Sequence, residues 1–457
     1  MKKFTLFALA TLLAVPAVKA DETPGYVEPL IIEEMVAQRV SPNGLWIGGQ
    51  DILGSVAYSY SLLIDRKYTF IEYVQGFGSS MANNGLLVGE YWHTEQQAAV
   101  MRPMGHGVPR PLRDMGISSF SGVSGDGSRA VGWINSFTGG LLYIPFYCDI
   151  ASDGNVGEPQ PIPCPTNVPG GRGGAQQCIA ICASLDGKVV AGSITDGSGF
   201  REYPVVFIQG EDEEWSYVFP TASLADNGSL SFAPNMALSN DGKTLFFAQY
   251  VFNGDIKTLP DNTIPYTYDI ESGTLTKYNC KAETLIPYQV LADGTLVGAT
   301  YLKSFFPFVT WILPPGETDF VEFTKYAEDH YPGMLPWLED NLGNYGVIGY
   351  DDEGKEIYGS YIISGNIYFS DDKNVIVGGV PFGDGYTYVF KAEDVVPGAN
   401  PGNGDDPGSV EAVASADSPL VDVYDICGVK VLSKADRSAL STLPRGIYIV
   451  NGKKLKL

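Results

Sequence analysis

The chain has 457 residues, 44% hydrophobic and 12% aromatic, with 54 glycines and a net charge of −24. That is ample apolar material for a large core, and the glycine and aromatic content suits an all-β chain rich in turns. Such acidity speaks against nucleic acid or anionic lipid as a partner, and reads first as a source of solubility.

Met1-Lys-Lys is a basic start, Phe4 to Val15 is apolar, and Val18-Lys-Ala20 offers small residues before the acidic Asp21-Glu22. That order reads as a signal peptide over residues 1–20. The apolar run is shorter than the ~18 residues a spanning helix needs, and no later run reaches that length. The expectation is export without a transmembrane segment after cleavage. The protein would be secreted or held on the outer-membrane surface of a Gram-negative bacterium, with the periplasm as the alternative.

Residues 21–397 are organised by a recurring turn. It first occurs as Ser41-Pro-Asn-Gly-Leu-Trp-Ile-Gly48, then as Ala82-Asn-Asn-Gly-Leu-Leu-Val-Gly89 and Ser124-Gly-Asp-Gly-Ser-Arg-Ala-Val-Gly132. It returns as Ser184-Leu-Asp-Gly-Lys-Val-Val-Ala-Gly192, Ser239-Asn-Asp-Gly-Lys-Thr-Leu-Phe-Phe247, Ala292-Asp-Gly-Thr-Leu-Val-Gly298 and Ser370-Asp-Asp-Lys-Asn-Val-Ile-Val-Gly378. Asp-Gly and Asn-Gly favour tight hairpins, because glycine takes positive φ without a steric cost. A short apolar strand follows each turn, for example Val56 to Ile64, Pro204 to Ile208 and Tyr386 to Phe390. The turn positions are Gly44, Gly85, Gly127, Gly187, Gly242, Gly294 and Lys373. A different turn type is expected at Lys373. Repeats of roughly 40–50 residues holding several strands are the signature of propeller blades, each unable to bury both sheet faces alone. The expected fold is an all-β propeller of seven blades, eight being possible, plus a small C-terminal β-domain. A sandwich or solenoid with coincidental Asp-Gly turns is the competing architecture.

Two repeat types resemble these units. The Ser-x-Asp-Gly-Lys turn is similar to that of WD40-like TolB-type propellers. The closing glycines Gly48, Gly89, Gly132, Gly192, Gly298 and Gly378 fit the Val-Ser-x-Asp-Gly-x-x-Val-x-Gly pattern of bacterial extracellular HAF-type repeats better. Either resemblance implies an architecture and no activity.

Four of the six cysteines, Cys148, Cys164, Cys178 and Cys182, fall in or beside one Pro/Gly-rich insertion. In an exported protein a local disulfide is the default. Cys178 and Cys182 lie four apart on one expected strand, too far apart to join. Cys148 with Cys164 is the first choice, although spacing cannot fix connectivity. A zinc site lacks a Cys-x-x-Cys pair and a nearby histidine. No metal or cofactor is expected.

Between the sixth and seventh units, Phe320, Phe323, Tyr326 and Ala327 recur at helical spacing until Pro332-Gly333. This predicts one short inserted helix. An extra hairpin about Glu353-Gly354 follows, the candidate for an eighth blade. Residues 398–410 are a Pro/Gly/Asp linker.

Residues 411–457 carry seven Lys/Arg against five Asp/Glu, a reversal of the charge of the rest. Leu420 to Ile426 alternates as a strand, Val429 to Leu432 returns, Gly446 to Val450 is a third strand, and Asn451-Gly452 turns into the Lys-rich end. Val423, Tyr424 and Gly428, then Gly446, Ile447, Tyr448 and Val450, resemble the C-terminal type A sorting domain of the type IX secretion system in Bacteroidota. The copy is short, with the strands that usually precede the Val-Tyr-Asp strand reduced. The resemblance implies that the tail engages secretion machinery.

No Gly-x-Ser-x-Gly elbow or His-Glu-x-x-His occurs, and His93, His106 and His330 are the only histidines. Gly242-Lys-Thr244 looks like the end of a P-loop, but Ala237 stands where that motif needs glycine. The acidic runs Glu211–Glu214 and Asp351–Glu353 are local in sequence, whereas a glycosidase needs two carboxylates converging across a cleft. No catalytic residue can be named. The expected role is binding or scaffolding, with a glycan or a protein as ligand. The alternative is a glycan hydrolase or lyase with its site at the central channel.

Overall fold

The computed structural model describes residues 26–396, apart from 71–73, 76–79, 93–95, 104–109, 112–115, 136–141, 225–230, 253–261, 283, 301–308, 343–344, 351–355, 361–366 and 382–383. In the tail it describes residues 420–425, 430–436, 447–450 and 453–456. The signal peptide and the linker lie outside the described residues. So do His93, His106, Cys427, Gly428, Gly446 and the Glu353-Gly354 and Asn451-Gly452 turns.

The repeating turn joins the first two strands of a sheet in every unit. Blade 1 is Val36–Val40, Trp46–Gln50, Ala57–Ser61 and Arg66–Phe70, four antiparallel strands in chain order. Blades 2 to 6 repeat this plan, with first strands Val74–Gln75, Ser118–Val123, Gln177–Ala183, Phe232–Leu238 and Leu285–Val290. Blade 7 has three strands of its own, Ile367–Phe369, Val375–Val380 and Tyr386–Lys391, and takes its fourth, Leu30–Glu33, from the start of the chain. Six consecutive four-stranded sheets and a seventh that joins both ends of the domain make a closed propeller. The apolar strand after each turn is the third strand of that same blade.

The turn sequence explains its own geometry. The serine hydroxyl donates to the Asx side chain two residues on, as in Ser184 to Asp186 and Ser370 to Asp372, each at 2.7 Å. It also accepts the backbone N–H five residues on, as from Val189 at 3.1 Å and Val375 at 3.0 Å. These local bonds pre-form the hairpin that the blade then extends. Gly44 and Gly187 sit at φ +69° and +71°. Lys373 does not change the turn type as expected, for it adopts φ +60°. A left-handed lysine costs about 1–2 kcal/mol, opposed here by the ion pair that its ammonium makes with Asp293 in the neighbouring turn of blade 6.

Side chains also join the blades laterally. Thr387 Oγ1 accepts from Ala37 N at 2.9 Å, Ser118 Oγ from Ala98 N at 3.0 Å, and Thr263 Oγ1 from Leu285 N at 2.6 Å. Arg129 of blade 3 reaches the Gly187 carbonyl (3.2 Å) and Gln209 Oε1 (2.7 Å) of blade 4, with its guanidinium 4.2 Å from the centre of the Tyr147 ring.

The inserted segment holds two helices, where one was expected. Helix α1 (Phe323–His330) ends before Pro332, a 3-10 turn follows, and α2 (Leu335–Leu342) restarts the chain. Pro332 lacks an N–H but suits the start of the next turn, so it punctuates without ending the helical segment. Phe323, Tyr326, Trp337 and Leu338 bury themselves with Ile312 of blade 6 and Tyr388 and Phe390 of blade 7. The hairpin that followed as a candidate eighth blade is a separate pair, Tyr345–Tyr350 with Glu356–Ser360.

In the tail, Leu420–Asp425, Lys430–Asp436, Ile447–Val450 and Lys453–Lys456 form a four-stranded antiparallel sheet, with Leu420–Asp425 and Ile447–Val450 in the middle. It is the small β-domain expected from the sequence.

Candidate axial binding site

Residues on or just after the first strand of every blade line one cavity of about 310 Å³. That is at the small end of ordinary ligand pockets, which run roughly 300–1,000 Å³.

Local irregularity shapes the lining. Opposite the second strand, the first strand carries a bulge in blades 1, 3, 4 and 6, between Ala37 and Arg39, Phe120 and Gly122, Ala180 and Cys182, and Pro287 and Gln289. In blade 3 the closing glycine itself, Gly132, pairs with Phe120 beside the bulge. A bulge leaves one residue without a partner and re-aims its neighbours. Here it brings Arg39, Ser121, Ile181, Cys182, Tyr288 and Gln289 to the cavity.

Some of the polar lining ties blades together. Gln289 Nε2 donates to the Phe369 carbonyl at 2.8 Å, and its Oε1 accepts from Phe369 N at 3.1 Å. Tyr288 donates its hydroxyl to the Ile367 carbonyl. The Arg39 guanidinium lies 5.4 Å from the ring centres of both Tyr288 and Tyr368, which themselves meet edge to face at 5.4 Å, so one cation contacts an aromatic pair. Asn235 is exposed in the cavity wall. Among the described lining residues, Arg39 is the one guanidinium and Asp371 the one carboxylate.

At the turn end of the cavity, backbone hydrogen bonds run from blade to blade. Asn83 N donates to Gly125 O (2.7 Å), Asp126 N to Leu185 O (2.9 Å), Leu185 N to Asn240 O (2.7 Å), Ala292 N to Asp371 O (3.2 Å) and Asp371 N to Pro42 O (2.9 Å). Asn43 N closes another joint on Asn83 Oδ1 at 2.8 Å. This belt fixes the width of that mouth. The Asp371 side chain bonds to Asn240 two blades away.

Burial raises the Asp371 carboxyl above its ordinary value, against the hydrogen bond from Asn240. The folded protein therefore holds this proton to higher pH than the unfolded chain does. The penalty is absent below the unfolded value and complete above the raised one. Asp371→Asn should thus raise the melting temperature at pH 7, with the gain shrinking as the pH falls toward about 4. Thermal unfolding at the two pH values checks this, and destabilisation at pH 7 would show that the carboxylate contributes more than its burial costs. Cys182 is no nucleophile at neutral pH, because burial pushes its thiol up to about 12.

The residues singled out from sequence lie elsewhere. His330 is exposed on α1 against the Tyr326 ring. Glu211 to Glu214 form an exposed turn between the outer strands of blade 4. In the tail, Val423 is fully buried and pairs with Val450, while Tyr424 pairs with Ile449 and Tyr448 with Asp425. Ile447 pairs with Lys456. Cys148 and Cys164, expected as a bridged pair, are both free thiols here. Cys148 is buried with Val100, Phe146 and Ile150 between blades 2 and 3, whereas Cys164 packs on the blade 4 cluster that contains Cys178. Sequence reasoning missed Arg39, Gln289 and Asp371. Their signal was positional: the lining falls two or three residues before the turn serine, or its counterpart Ala292, and one residue after it.

No protein-family model matches the chain, and no curated protein matches it. Several solved structures are similar. An oligogalacturonate lyase from Vibrio parahaemolyticus is 11% identical over 80% of this chain and 98% of its own, with a TM-score of 0.46. Hydrazine synthase of Kuenenia stuttgartiensis is 13% identical over 80% and 99%, at 0.45. TolB from Acinetobacter baumannii is 12% identical over 64% of each chain, at 0.36. The propeller assignment rests on the strand order and the closure described above.

Proposed function

We propose that the protein is an exported propeller that binds part of a glycan or a protein ligand in its axial cavity, and that the tail governs where it accumulates. The observation that carries the binding reading is an axial cavity to which every blade contributes, with the Arg39 guanidinium packed against a pair of tyrosine rings. A guanidinium fixed in this way recognises planar acceptors such as carboxylate or amide groups. Cleavage of a glycan by acid–base catalysis needs two converging carboxylates, and the described lining supplies Asp371 alone. A glycan array and a proteome pull-down with the full-length protein test this reading, with product analysis on every hit. Arg39→Ala should weaken binding of a hit about 30-fold or more, as removal of an arginine hot spot does. Cleavage of a bound glycan would replace the binding reading with the enzymatic one.

The export part of this reading rests on the residue 1–20 pattern, and no helix among the described residues is long and apolar enough to cross a membrane. The tail forms a sheet of its own, and its reading as a sorting module of the type IX kind rests on the sequence resemblance. Blade 7 is completed by Leu30–Glu33, not by the tail. Truncation after Asn400 should therefore leave the melting temperature nearly unchanged while altering the compartment in which the protein accumulates. Fractionation of cells expressing both forms decides it. Equal distribution removes the sorting role, and a collapsed melting transition would make the tail part of the propeller.

A further inference from the structure

The insertion between blades 3 and 4 starts on blade 3, where Ile162 N donates to Pro145 O at 2.9 Å, is held to itself by Ala175 N to Thr166 O at 2.9 Å, and reaches blade 4 where Arg172 N donates to Asp196 Oδ2 at 2.9 Å. Ile162 and Val168 are buried in the blade 4 cluster. Cys164 is half-buried at the edge of that cluster, and Cys178, on the first strand of blade 4, is fully buried within it. The two thiols lie close enough in this cluster to perturb each other's ionisation. The other cysteines near the insertion are engaged elsewhere. Cys148 faces the blade 2–3 core, and Cys182 points to the Met236 carbonyl of blade 5.

We propose that Cys164 and Cys178 form a disulfide that clips the insertion onto the first strand of blade 4. The oxidant is a disulfide of the thiol-exchange class. The Cys164 thiolate attacks one sulfur of that disulfide, whose S–S bond breaks and releases one oxidant sulfur as a thiol. Cys178 then loses its proton and attacks the Cys164 sulfur, releasing the second oxidant sulfur. Two protein thiols give up two protons and two electrons, and the oxidant disulfide becomes two thiols. The order follows from access and acidity. Cys164 is reachable, and the neighbouring Cys178 lowers its thiol below the ordinary value. Burial raises Cys178, so it suits the second, intramolecular step. The bond closes a short loop and restricts the unfolded chain.

The test treats full-length reduced protein with excess oxidised glutathione, alkylates under denaturing conditions and digests without reductant. The expected product is a peptide pair joined through Cys164 and Cys178 and lighter by two hydrogens, with Cys148 and Cys182 alkylated. Oxidation should also raise the melting temperature by several degrees, a shift that Cys164→Ser abolishes. A Cys148–Cys164 link, or alkylation or stable glutathione adducts at both positions after equilibration, overturns the proposal. The reading does not depend on a ligand in the cavity, so its failure would leave the binding proposal untouched.

Discussion

Gly132→Ala is expected to abolish folding of the propeller or to cost about 4 kcal/mol or more. An added Cβ at this position would lie 1.9 Å from Ser119 O and 2.9 Å from Phe120 Cα. Both are backbone atoms of the first strand of blade 3, next to its bulge. Backbone in a closed ring has neighbours on both sides and little room to retreat, so the clash must break the pairing that forms the blade. Two companion variants set the scale. Gly298→Ala would place Cβ 2.8 Å from Leu285 Cδ1, an atom that can turn aside, with Ile286 O at 3.0 Å. An intermediate loss of about 1–3 kcal/mol is expected there. Gly316 has φ +82° and open space around its Cβ position. Its replacement by alanine should cost only the left-handed conformation, about 1 kcal/mol. Soluble yield and thermal unfolding of the three variants check the ranking. A folded Gly132→Ala protein with an unchanged melting temperature would mean that the blade 3 bulge is not closed as described.

The second large effect is expected from the opposite end of the domain. Removing the chain up to and including Glu33 should lower the melting temperature by roughly 5–10 °C and promote aggregation. The strand Leu30–Glu33 pairs residue by residue with Tyr386–Val389, and Glu34 N adds a bond to Gly385 O at 2.9 Å. Ile32 is buried, and Met35 immediately after the strand is fully so. Without the strand, Tyr386–Lys391 becomes a bare edge, the kind of edge that pairs with other chains. The ring also loses one of the links that join its first residues to its last, with Ala37 N to Thr387 Oγ1 and Asp371 N to Pro42 O remaining. A point variant, Ile32→Asp, should reproduce part of the loss by placing a carboxylate in the buried position. Differential scanning fluorimetry and light scattering on the truncated, point-mutated and intact proteins measure both effects. An unchanged transition in the truncated form would show that the ring closes without this strand.

The elements that were legible in the sequence are those whose hydrogen bonds are local. The turn of Ser184, Asp186 and Gly187 is made by bonds spanning two to five residues, so its chemistry is written in one short stretch. Seven such stretches count the blades. The strands of the tail could be read from their own alternation, although the pairing of Val423 with Val450 passes over the strand between them. Lys373 shows the boundary of this logic. Its own residue type argued for another turn, and an ion pair to Asp293, eighty residues away, let it keep the common one.

Closure, cavity and cysteine partners depended instead on contacts that no local signal encodes. Ala37 N meets Thr387 Oγ1 across 350 residues because the ring brings its ends together. The cavity exists only once seven first strands surround one axis, and its lining is set by bulges that follow from packing against the next blade. Cys164 had Cys148 at a plausible spacing, but the third strand of blade 3 turns Cys148 into another core and leaves Cys178 as its neighbour. Local turn chemistry thus determined the repeat and the blade, since backbone bonds within a few residues are fixed by the residues that make them. Which side chains face the axis, and which ends meet, was decided by radial packing, since that depends on all seven sheets at once.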